Sequence, residues 1–542
     1  MHFTFITLAF LAASPVIASS KCKTSPHDPT WPSTGEWTSL NQSIQGGSTS
    51  NRPRMLLLLP RKPFQITTQL QRESNDYSIW NNNSCLPPGV SGYSKEKGCS
   101  VGGLPRYIVN ATTEQQVATA MKWASDHNIR IVIKSTGHDL CGRSTGAYSL
   151  SIWTQNFNYI QHEPSWKIPG TNKTEDVMIC GGGNNWGSVY TAAHRVNRTV
   201  VGGEDATVGL GGLIQNGGHG LLSSTYGLAS DQVYQVTIVT TDGRRLVAND
   251  QQNQDLFWAV RGAGGGQFGI ITEFVLRTHP VPANVVSGGL SFNSSVNGNA
   301  SWAALAEIAS EIPNLMDAGI TGTVMSVTGE QAGPVVTISL TGFNSSARRM
   351  NDTIHQLATK ITNIGHRHGY LNLSFTPPTS SSYWSSTKPN YLSSQSAGIP
   401  RGGAMLLFGL QGGPGPAKIA EKRRGSVLPA WRSAYAHVMA YGSSFNESGD
   451  AKTGLEIAAN FYEKVKEPVW REWGPNTGSY MNEGNPFSST WKQDFYGVNY
   501  DRLLDVKLEY DPSESIFVQS GIGSDKWDYD LHSGLLCRAD DE

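Results

Sequence analysis

His138 lies in a loop directly after a predicted strand, a position where many enzymes bind their ligands. His138 belongs to a polar, glycine-containing loop, Ser135–Asp139, that follows a short β-branched segment at residues 129–134. Such a segment predicts a buried strand. Because open α/β sheets bind ligands at the carboxyl ends of their strands, we expect this loop to hold a ligand beside the imidazole.

A second segment, Val208–Gly220, is dense in glycine. Glycine has no Cβ and allows the main chain to approach another group closely. We therefore expect the main chain of this segment to lie against a ligand or another part of the chain.

Three other motifs match known patterns but lack the required context. Gly264–Gly269 fits GxGxxG, but a strand is predicted after it where a dinucleotide-binding unit needs a helix. Gly142–Gly146 fits GxSxG, but no strand and helix flank it, which argues against a hydrolase. His366 and His368 point to different faces of a predicted helix, so we expect solvated side chains and no metal site.

The elements that must position the loop alternate between strands and helices. A strand at 106–109, a helix beginning at a capping box over Thr112–Gln115 and the strand at 129–134 form one unit. Asp242-Gly243 predicts a hairpin, and Pro280 and Pro282 mark a boundary. Beyond it we predict an α+β region with strands at 321–327, 335–341 and 404–410 and helices at 302–311, 347–367 and 455–467, and near the end a helix at 500–510.

In order and spacing, these segments resemble the berberine bridge enzyme-like group of the vanillyl-alcohol oxidase superfamily. The resemblance rests on Lys134–Asp139 and Val201–Gly220, and it resumes at Tyr480–Asn482 and Phe495–Tyr500. Within that group the chain more closely resembles fungal proteins called isoamyl alcohol oxidases, at Trp31, Trp37, Leu40-Asn41, Ser479–Glu483 and Leu536–Arg538. Thr30 stands where those relatives commonly have cysteine, so we expect an N-terminal disulfide of that group to be missing.

The resemblance implies a two-domain α+β fold, with an FAD-binding domain of the PCMH type and an antiparallel-sheet substrate domain. It also implies FAD bonded through its 8α-methyl group to His138, which raises the flavin potential and prevents cofactor loss outside the cell. Main-chain N–H groups of Ser135–Asp139 and Gly209–Gly212 can hold the pyrophosphate. The residues expected to bind FAD are Lys134, Ser135, Thr136, Gly137, His138, Asp139, Thr207, Val208, Gly209, Gly212, Gly218, Ile271, Asn499 and Tyr500.

The implied reaction is hydride transfer from a C–H bond of a small alcohol, sugar or similar donor to flavin N5, assisted by a base, with O₂ as the electron acceptor. Tyr480, Asn482 and Asp205 occupy family positions near the ring and are the catalytic candidates. Val208 falls at the position of the family's oxygen gatekeeper, where a small β-branched residue leaves room for O₂. His219 is expected to pack within its loop.

Asp205 also marks a departure from the group. Many berberine bridge enzyme-like proteins attach the flavin a second time, through a cysteine at this place. A carboxylate cannot form that thioether, so we expect the histidyl link alone, with no cysteinyl link and a lower potential than in doubly linked relatives.

Two other functions share the same motifs. One is the oxidation or oxidative cyclisation of a secondary metabolite, and the other is flavin binding without turnover. The substrate region would separate the oxidation of an alcohol or sugar from that of a secondary metabolite, but it carries no readable specificity pattern. Flavin binding alone is disfavoured, because an intact flavin-attachment loop has little purpose without redox chemistry.

The bulk properties fit a secreted protein. Residues 1–18 predict a signal peptide, and the chain has eleven Asn-x-Ser/Thr sequons. Its 42 Lys and Arg balance 43 Asp and Glu, which argues against nucleic acid or an anionic membrane as a partner and favours a small molecule. We expect a monomer. Of the six cysteines, Cys85 and Cys99 could close a short loop, and the sequence leaves the other pairings open.

These observations divide the chain into five parts. Residues 1–18 are the signal peptide, 19–103 a loop-rich extension, 104–282 the FAD-binding domain and 283–475 the substrate domain. Residues 476–542 return to the FAD-binding domain.

Overall fold

A computed structural model of the chain describes residues 21–44, 55–57, 78–86, 88, 93–96, 98–294, 299–328, 333–369, 371–387, 404–441 and 450–539. The predicted signal peptide, residues 1–18, lies outside these ranges. Within them, no helix has the length and apolar character needed to cross a bilayer.

The described residues form five β-sheets with helices packed on them. The strands are β1 Met55–Leu57, β2 Tyr107–Asn110, β3 Ile131–Lys134, β4 Leu150–Trp153, β5 Ile160–Lys167, β6 Thr174–Gly181, β7 Arg198–Thr199, β8 Val233–Val239, β9 Arg245–Asn249, β10 Ile270–Arg277, β11 His279–Pro280, β12 Val285–Ser294, β13 Ile320–Thr328, β14 Val335–Phe343, β15 Leu371–Ser381, β16 Ala404–Leu410, β17 His437–Tyr441, β18 Trp527–Tyr529 and β19 Leu536–Arg538. The α-helices are Thr34–Ile44, Glu114–Asp126, Trp186–Arg195, Leu210–Gln215, Ser223–Tyr226, Gln254–Ala259, Ala300–Asp317, Ala347–His368, Tyr383–Thr387, Pro414–Lys418, Ala451–Phe461, Glu467–Trp473, Trp491–Phe495 and Tyr500–Tyr510.

The strand–helix–strand unit before the histidine loop forms as predicted. Strands β2 and β3 both pair in parallel with β4, so the loop after β3 begins at the carboxyl edge of this sheet. The helix between β2 and β3 does have a capping box, but Thr113 and Gln116 form it, one residue later than predicted. The shift arises because Thr113 is the last extended residue before the helix, with φ −138° and ψ 153°.

The second sheet has the order β5-β6-β10-β8-β9, and all its pairs are antiparallel. Asp242-Gly243 turns the chain between β8 and β9, with Gly243 at φ +82°, as the hairpin prediction requires. Strand β10 directly follows Gly264–Gly269, so this GxGxxG segment does not open a dinucleotide-binding helix.

The third sheet is antiparallel, with the order β15-β12-β14-β13-β16-β17. Strands β12, β15 and β17 were not predicted. Gly288 and Gly289 interrupt the pattern of β12, and β15 contains two prolines and many exposed polar residues, which is compatible with its place at the sheet edge.

Two long helices, Ala300–Asp317 and Ala347–His368, pack on the third sheet in a separate hydrophobic core. The first continues through Pro313, beyond the predicted end at residue 311, because Leu315 and Met316 in its last turn are buried. His366 and His368 end the second helix as exposed side chains, as expected.

The end of the chain returns to the core of the first two sheets. Residues from Met481 to Ile522 are buried in the same cluster as Trp37, Trp186 and Phe274. The buried Lys507 ammonium donates to Asp511 at 2.6 Å and to the main-chain oxygen of Gln267 at 2.7 Å, which fastens the last long helix beside Gly264–Gly269.

Two disulfides form among the described cysteines. Cys85 pairs with Cys99, as the spacing allowed, and Cys22 pairs with Cys537. Cys141 and Cys180 are free, buried thiols.

Candidate active site

A cavity of about 1080 Å³ lies between the first two sheets and the third. Typical sites for small molecules measure about 300–1,000 Å³, so this one has room for a large ligand. One side consists of the loop after β3, the segment Gly203–Asn216 and the segment Gly265–Ile271. The third sheet covers the other side with Thr323, Met325, Met405, Leu407, Gly409, His437 and Met439.

Glycine makes the first side a surface of main chain. A Cβ at Gly209 would lie 2.6 Å from the Ser135 hydroxyl oxygen, which leaves no room for a side chain there. Gly209 donates its N–H to Thr136 Oγ1 at 3.0 Å, and this bond joins the two predicted loops. The Ser135 hydroxyl is buried and has no hydrogen-bond partner among the described residues. A bound anion could accept a hydrogen bond from this hydroxyl, so the walls fit the pyrophosphate of the expected FAD.

His138 lines the cavity, and a chain of hydrogen bonds sets its tautomer. Its Nε2 lies 2.8 Å from Thr207 Oγ1, and this hydroxyl donates to Asp205 Oδ1 at 2.7 Å. Because the Thr207 proton points to Asp205, its oxygen must accept from the imidazole, and His138 carries its proton on Nε2. The lone pair is then on Nδ1, the nitrogen that could bond to the flavin methyl carbon.

Asp139 lines the cavity, and its carboxylate also stabilises the loop that carries His138. Its Oδ1 accepts from the main-chain N–H groups of Cys141 at 2.9 Å and Arg143 at 3.0 Å. The Arg143 guanidinium contacts Asp139 Oδ2 at 3.3 Å and donates to the Met481 carbonyl at 2.8 Å. These bonds fix the loop against the segment that carries Tyr480 and Asn482.

The predicted catalytic residues Tyr480 and Asn482 come together with Asn216. The Asn482 amide donates to the Tyr480 hydroxyl at 3.0 Å, and its oxygen accepts from Asn216 at 3.1 Å. Burial, with a smaller effect from the Glu483 carboxylate, raises the pKa of Tyr480. Asp205, the third candidate, lies on the cavity wall beside Thr207.

Five of the predicted cofactor residues do not line the cavity. Thr207 lies behind His138, and the Lys134 carbonyl accepts from Thr154 N within the sheet region. Gly218 adopts φ +75° in a turn, the Asn499 amide donates to the Ser426 carbonyl, and the Tyr500 hydroxyl donates to Asp525. The remaining predicted cofactor residues line it: Ser135, Thr136, Gly137, His138, Asp139, Val208, Gly209, Gly212 and Ile271.

A cluster of ionisable groups in the same cavity was not predicted as a site. His437 Nε2 lies 3.7 Å from Glu483 Oε2, and the rings of His437 and His219 are 4.9 Å apart between centroids. His219 also packs edge-on against Tyr480. Glu204 accepts a hydrogen bond of 2.6 Å from the Gln411 amide on the third sheet's side.

Burial shifts the pKa of each group in this cluster toward its uncharged form. It lowers the pKa of His219 to about 4 and, with help from His219, that of His437 to about 3. Burial and the nearby Glu204 raise the pKa of Glu483 to about 7, and burial also raises the pKa of Glu204. Glu483 directly follows Asn482 and could have been chosen from the sequence, whereas His437 lies on the unpredicted strand β17.

Comparison with known proteins defines the class of this site. Residues 105–249 match the FAD binding domain family, and residues 479–522 match the family described as berberine and berberine like. The first match covers the histidine loop and the glycine-rich segment, and the second covers Tyr480–Glu483. The fold and the site therefore define an FAD-dependent oxidoreductase.

The relatives extend over almost the whole chain. The chain is 30% identical to the VAO-type flavoprotein oxidase VAO615 of Thermothelomyces thermophilus, over 96% of each chain. It is 29% identical to the bifunctional decalin synthase calF of Penicillium decumbens, over 99% of this chain and 100% of that relative. The crystal structure of the VAO-type flavoprotein MtVAO615 from Myceliophthora thermophila C1 matches with a TM-score of 0.75 and 27% identity, over 96% of this chain and 100% of that one.

The chain belongs to the vanillyl-alcohol oxidase superfamily and, within it, to the berberine bridge enzyme-like FAD-linked oxidoreductases.

Proposed function

We propose that this enzyme is secreted and oxidises the CH–OH group of a small, uncharged organic molecule, with FAD bonded to His138 and O₂ as the final acceptor. The observation that carries the proposal is the position of His138 on the wall of a cavity that is main chain on one side and mainly apolar on the other. When bound, FAD would accept the hydride from the substrate carbon and pass two electrons to O₂.

The protein's own groups have three tasks in this proposal. The glycine-rich walls and Ser135 hold the cofactor's phosphates, and Thr207 orients the His138 ring. The third sheet covers the cavity and excludes water from the reacting atoms. Val208 lines the cavity, and in this proposal its small side chain leaves room for O₂.

The third sheet also bears on the choice of substrate. Its cavity-lining positions include Met325, Met405, Leu407 and Met439, which are flexible or branched apolar side chains without charge. Such a wall favours a substrate with an apolar portion over a sugar, whose hydroxyl groups need hydrogen-bond partners. A secondary metabolite is the second candidate, and the similarity to a decalin synthase over the whole chain favours it.

A single covalent link is part of the proposal. Neither free cysteine, Cys141 or Cys180, lines the cavity, and burial raises the pKa of Cys141 to about 12. Asp205 occupies the place of the second attachment point in relatives, and its carboxylate is engaged with Thr207. We therefore assign no flavin bond to sulfur.

The first test is the fate of the flavin in His138→Ala. Acid precipitation of the wild type should leave a yellow pellet, and that of the variant a colourless one, because only a covalent bond survives unfolding. Peptide mapping of the wild type should find flavin on the peptide of His138. A yellow pellet from the variant, or flavin on another residue, would overturn the assignment.

The second test is anaerobic bleaching of the wild-type flavin with a panel of apolar alcohols, sugars and phenolic secondary metabolites. Bleaching by an alcohol, followed by rapid return of the colour in air, is the expected result. If no CH–OH compound bleaches the flavin, or if air restores the colour only over many minutes, the proposed reaction or its acceptor is wrong.

A further inference from the structure

The removal of a substrate hydroxyl proton requires a base in the cavity, and the three groups near the flavin motifs are poorly suited to it. An amide such as Asn482 cannot take up a proton near neutral pH. The Tyr480 hydroxyl is neutral there, because burial raises its pKa, and no cation is among the groups that act on it. The Asp205 carboxylate already accepts two hydrogen bonds from Thr207, so its Oδ1 is engaged by that residue.

Glu483, in contrast, places a carboxylate on the cavity wall that no described hydrogen bond engages. A turn closed by the bond from Glu483 N to the Tyr480 carbonyl, 3.0 Å long, places its side chain on the cavity wall. The side chain keeps a quarter of its surface exposed, and no described donor lies within direct hydrogen-bond distance of its carboxylate. His437 is the nearest basic group, at 3.7 Å, and its own ring is only 12% exposed.

We propose that Glu483 is the catalytic base that takes the proton of the substrate hydroxyl. This inference rests on the proposed function. The O–H bond of the alcohol breaks as its proton bonds to a Glu483 oxygen, and the electron pair of that bond forms the C=O bond as hydride leaves the carbon. The two electrons and the two hydrogens together convert O₂ to H₂O₂, so one alcohol and one O₂ give one carbonyl compound and one H₂O₂.

The groups that face Glu483 favour this role. His437 comes from β17, His219 and Glu204 come from the glycine-rich side, Cys141 lies in the loop after His138, and Tyr480 precedes it in its own segment. Both histidines are neutral near pH 7, because burial lowers their pKa values, so neither balances the carboxylate charge. The pKa of Glu483 of about 7 follows from burial and Glu204, and it suits a base that works near neutral pH.

The pH dependence has a definite sign. Only the ionised carboxylate can take the proton, so the rate of flavin reduction should be highest above pH 7 and fall tenfold per pH unit well below it. Glu204→Gln removes the charge that helps to raise the pKa of Glu483. In that variant the midpoint should move to lower pH.

The experiment compares Glu483→Gln with Glu483→Asp, both loaded with FAD, by anaerobic stopped-flow with an alcohol that bleaches the wild type. The Gln variant should lose about 10²–10⁴-fold in the rate of flavin reduction, and the Asp variant should recover part of it, because a carboxylate is retained. Flavin absorbance and thermal unfolding of both variants check that the fold is intact. Equal rates in the wild type and the Gln variant would overturn the proposal while leaving the oxidase function standing.

A second readout does not depend on turnover. Infrared difference spectra across pH 7 should show a protonated carboxyl band in the wild type that disappears with a midpoint near 7 and is missing from Glu483→Gln. A midpoint near the ordinary value for glutamate, about 4.3, would overturn the assignment. A rate that is lost on treatment with a chelator would also overturn it, since His219, His437 and Glu483 would then be acting as metal ligands. If no alcohol bleaches the wild type, the proposed function fails, and the infrared result still reports on Glu483.

Discussion

At the scale of single residues, the feature that matters most is the hydrogen-bond chain from His138 through Thr207 to Asp205. Each bond is 2.7–2.8 Å long, and the charged acceptor at its end fixes the direction of every proton along it. Asp205, a catalytic candidate from the sequence, therefore also acts on the position of His138. Its carboxylate orients the hydroxyl that orients the histidine.

This role predicts the behaviour of Thr207→Val, which removes the hydroxyl at nearly constant volume. Without that acceptor the His138 ring loses its set tautomer, and the fraction of protein with covalent flavin should fall several-fold. In-gel flavin fluorescence after denaturation measures this fraction. Asp205→Asn is the matched control, because its amide oxygen can still accept from Thr207 and flavin attachment should be largely retained. Full attachment in Thr207→Val would show that the chain is structural only.

At the scale of elements, β7 and β11 form a separate two-stranded ladder, and β11 lies just before β12, the first strand of the third sheet, along the chain. His279, on β11, stacks on Tyr226 with 3.9 Å between ring centroids, and its Nε2 lies 2.9 Å from Gln232 Oε1. Burial, with smaller effects from Arg277 and Arg198, lowers the pKa of His279 to about 4. The folded protein therefore keeps this imidazole neutral where the unfolded chain would protonate it.

The sign of the resulting pH effect follows directly. Between pH 6.5 and about 4 the unfolded chain binds a proton at His279 that the folded protein does not, so stability is lost as the pH falls. The loss is at most about 1.4 kcal/mol per pH unit. His279→Phe keeps an aromatic ring for the stacking but has no imidazole to protonate. The difference in the free energy of unfolding between the wild type and this variant, measured with urea, should therefore shrink as the pH falls through this window. Parallel pH profiles would contradict the buried, neutral state.

At the scale of the whole molecule, the two ends of the described chain are joined. The Cys22–Cys537 disulfide spans 515 residues, and the core beneath it contains residues from Trp37 to Ile522. The first helix, Thr34–Ile44, and the last long helix, Tyr500–Tyr510, thus belong to one core with the flavin-binding sheets. The ends of the chain therefore support the part of the fold that carries His138.

Removing this disulfide should cost more than removing the Cys85–Cys99 disulfide, because the closed loop is far longer than 14 residues. We expect Cys22→Ser/Cys537→Ser to lower the free energy of unfolding by about 2–5 kcal/mol. Cys85→Ser/Cys99→Ser is the matched control and should lose less. Chemical denaturation with flavin fluorescence as the probe measures both, and an equal loss in the two double variants would contradict the loop-length argument.

The sequence alone was sufficient where the signals are local. Neighbouring residues determine the strand before His138 and the turn at Asp242-Gly243, and the structure has both as predicted. The close approach of the main chain at Gly209 also follows from the local sequence, because glycine has no Cβ. The family was also recognisable, since its motifs are short and ordered along the chain.

The rest was decided by tertiary structure. Strand β17 has few residues and gains its partners only from β16, so no local pattern marked it, and His437 on it could not be placed in a site. The contact of His437 with Glu483 and the approach of Glu204 to Glu483 join segments that are 46 and more than 200 residues apart. Their ionisation depends on the surroundings that the assembled cavity provides, which no single segment of the sequence contains.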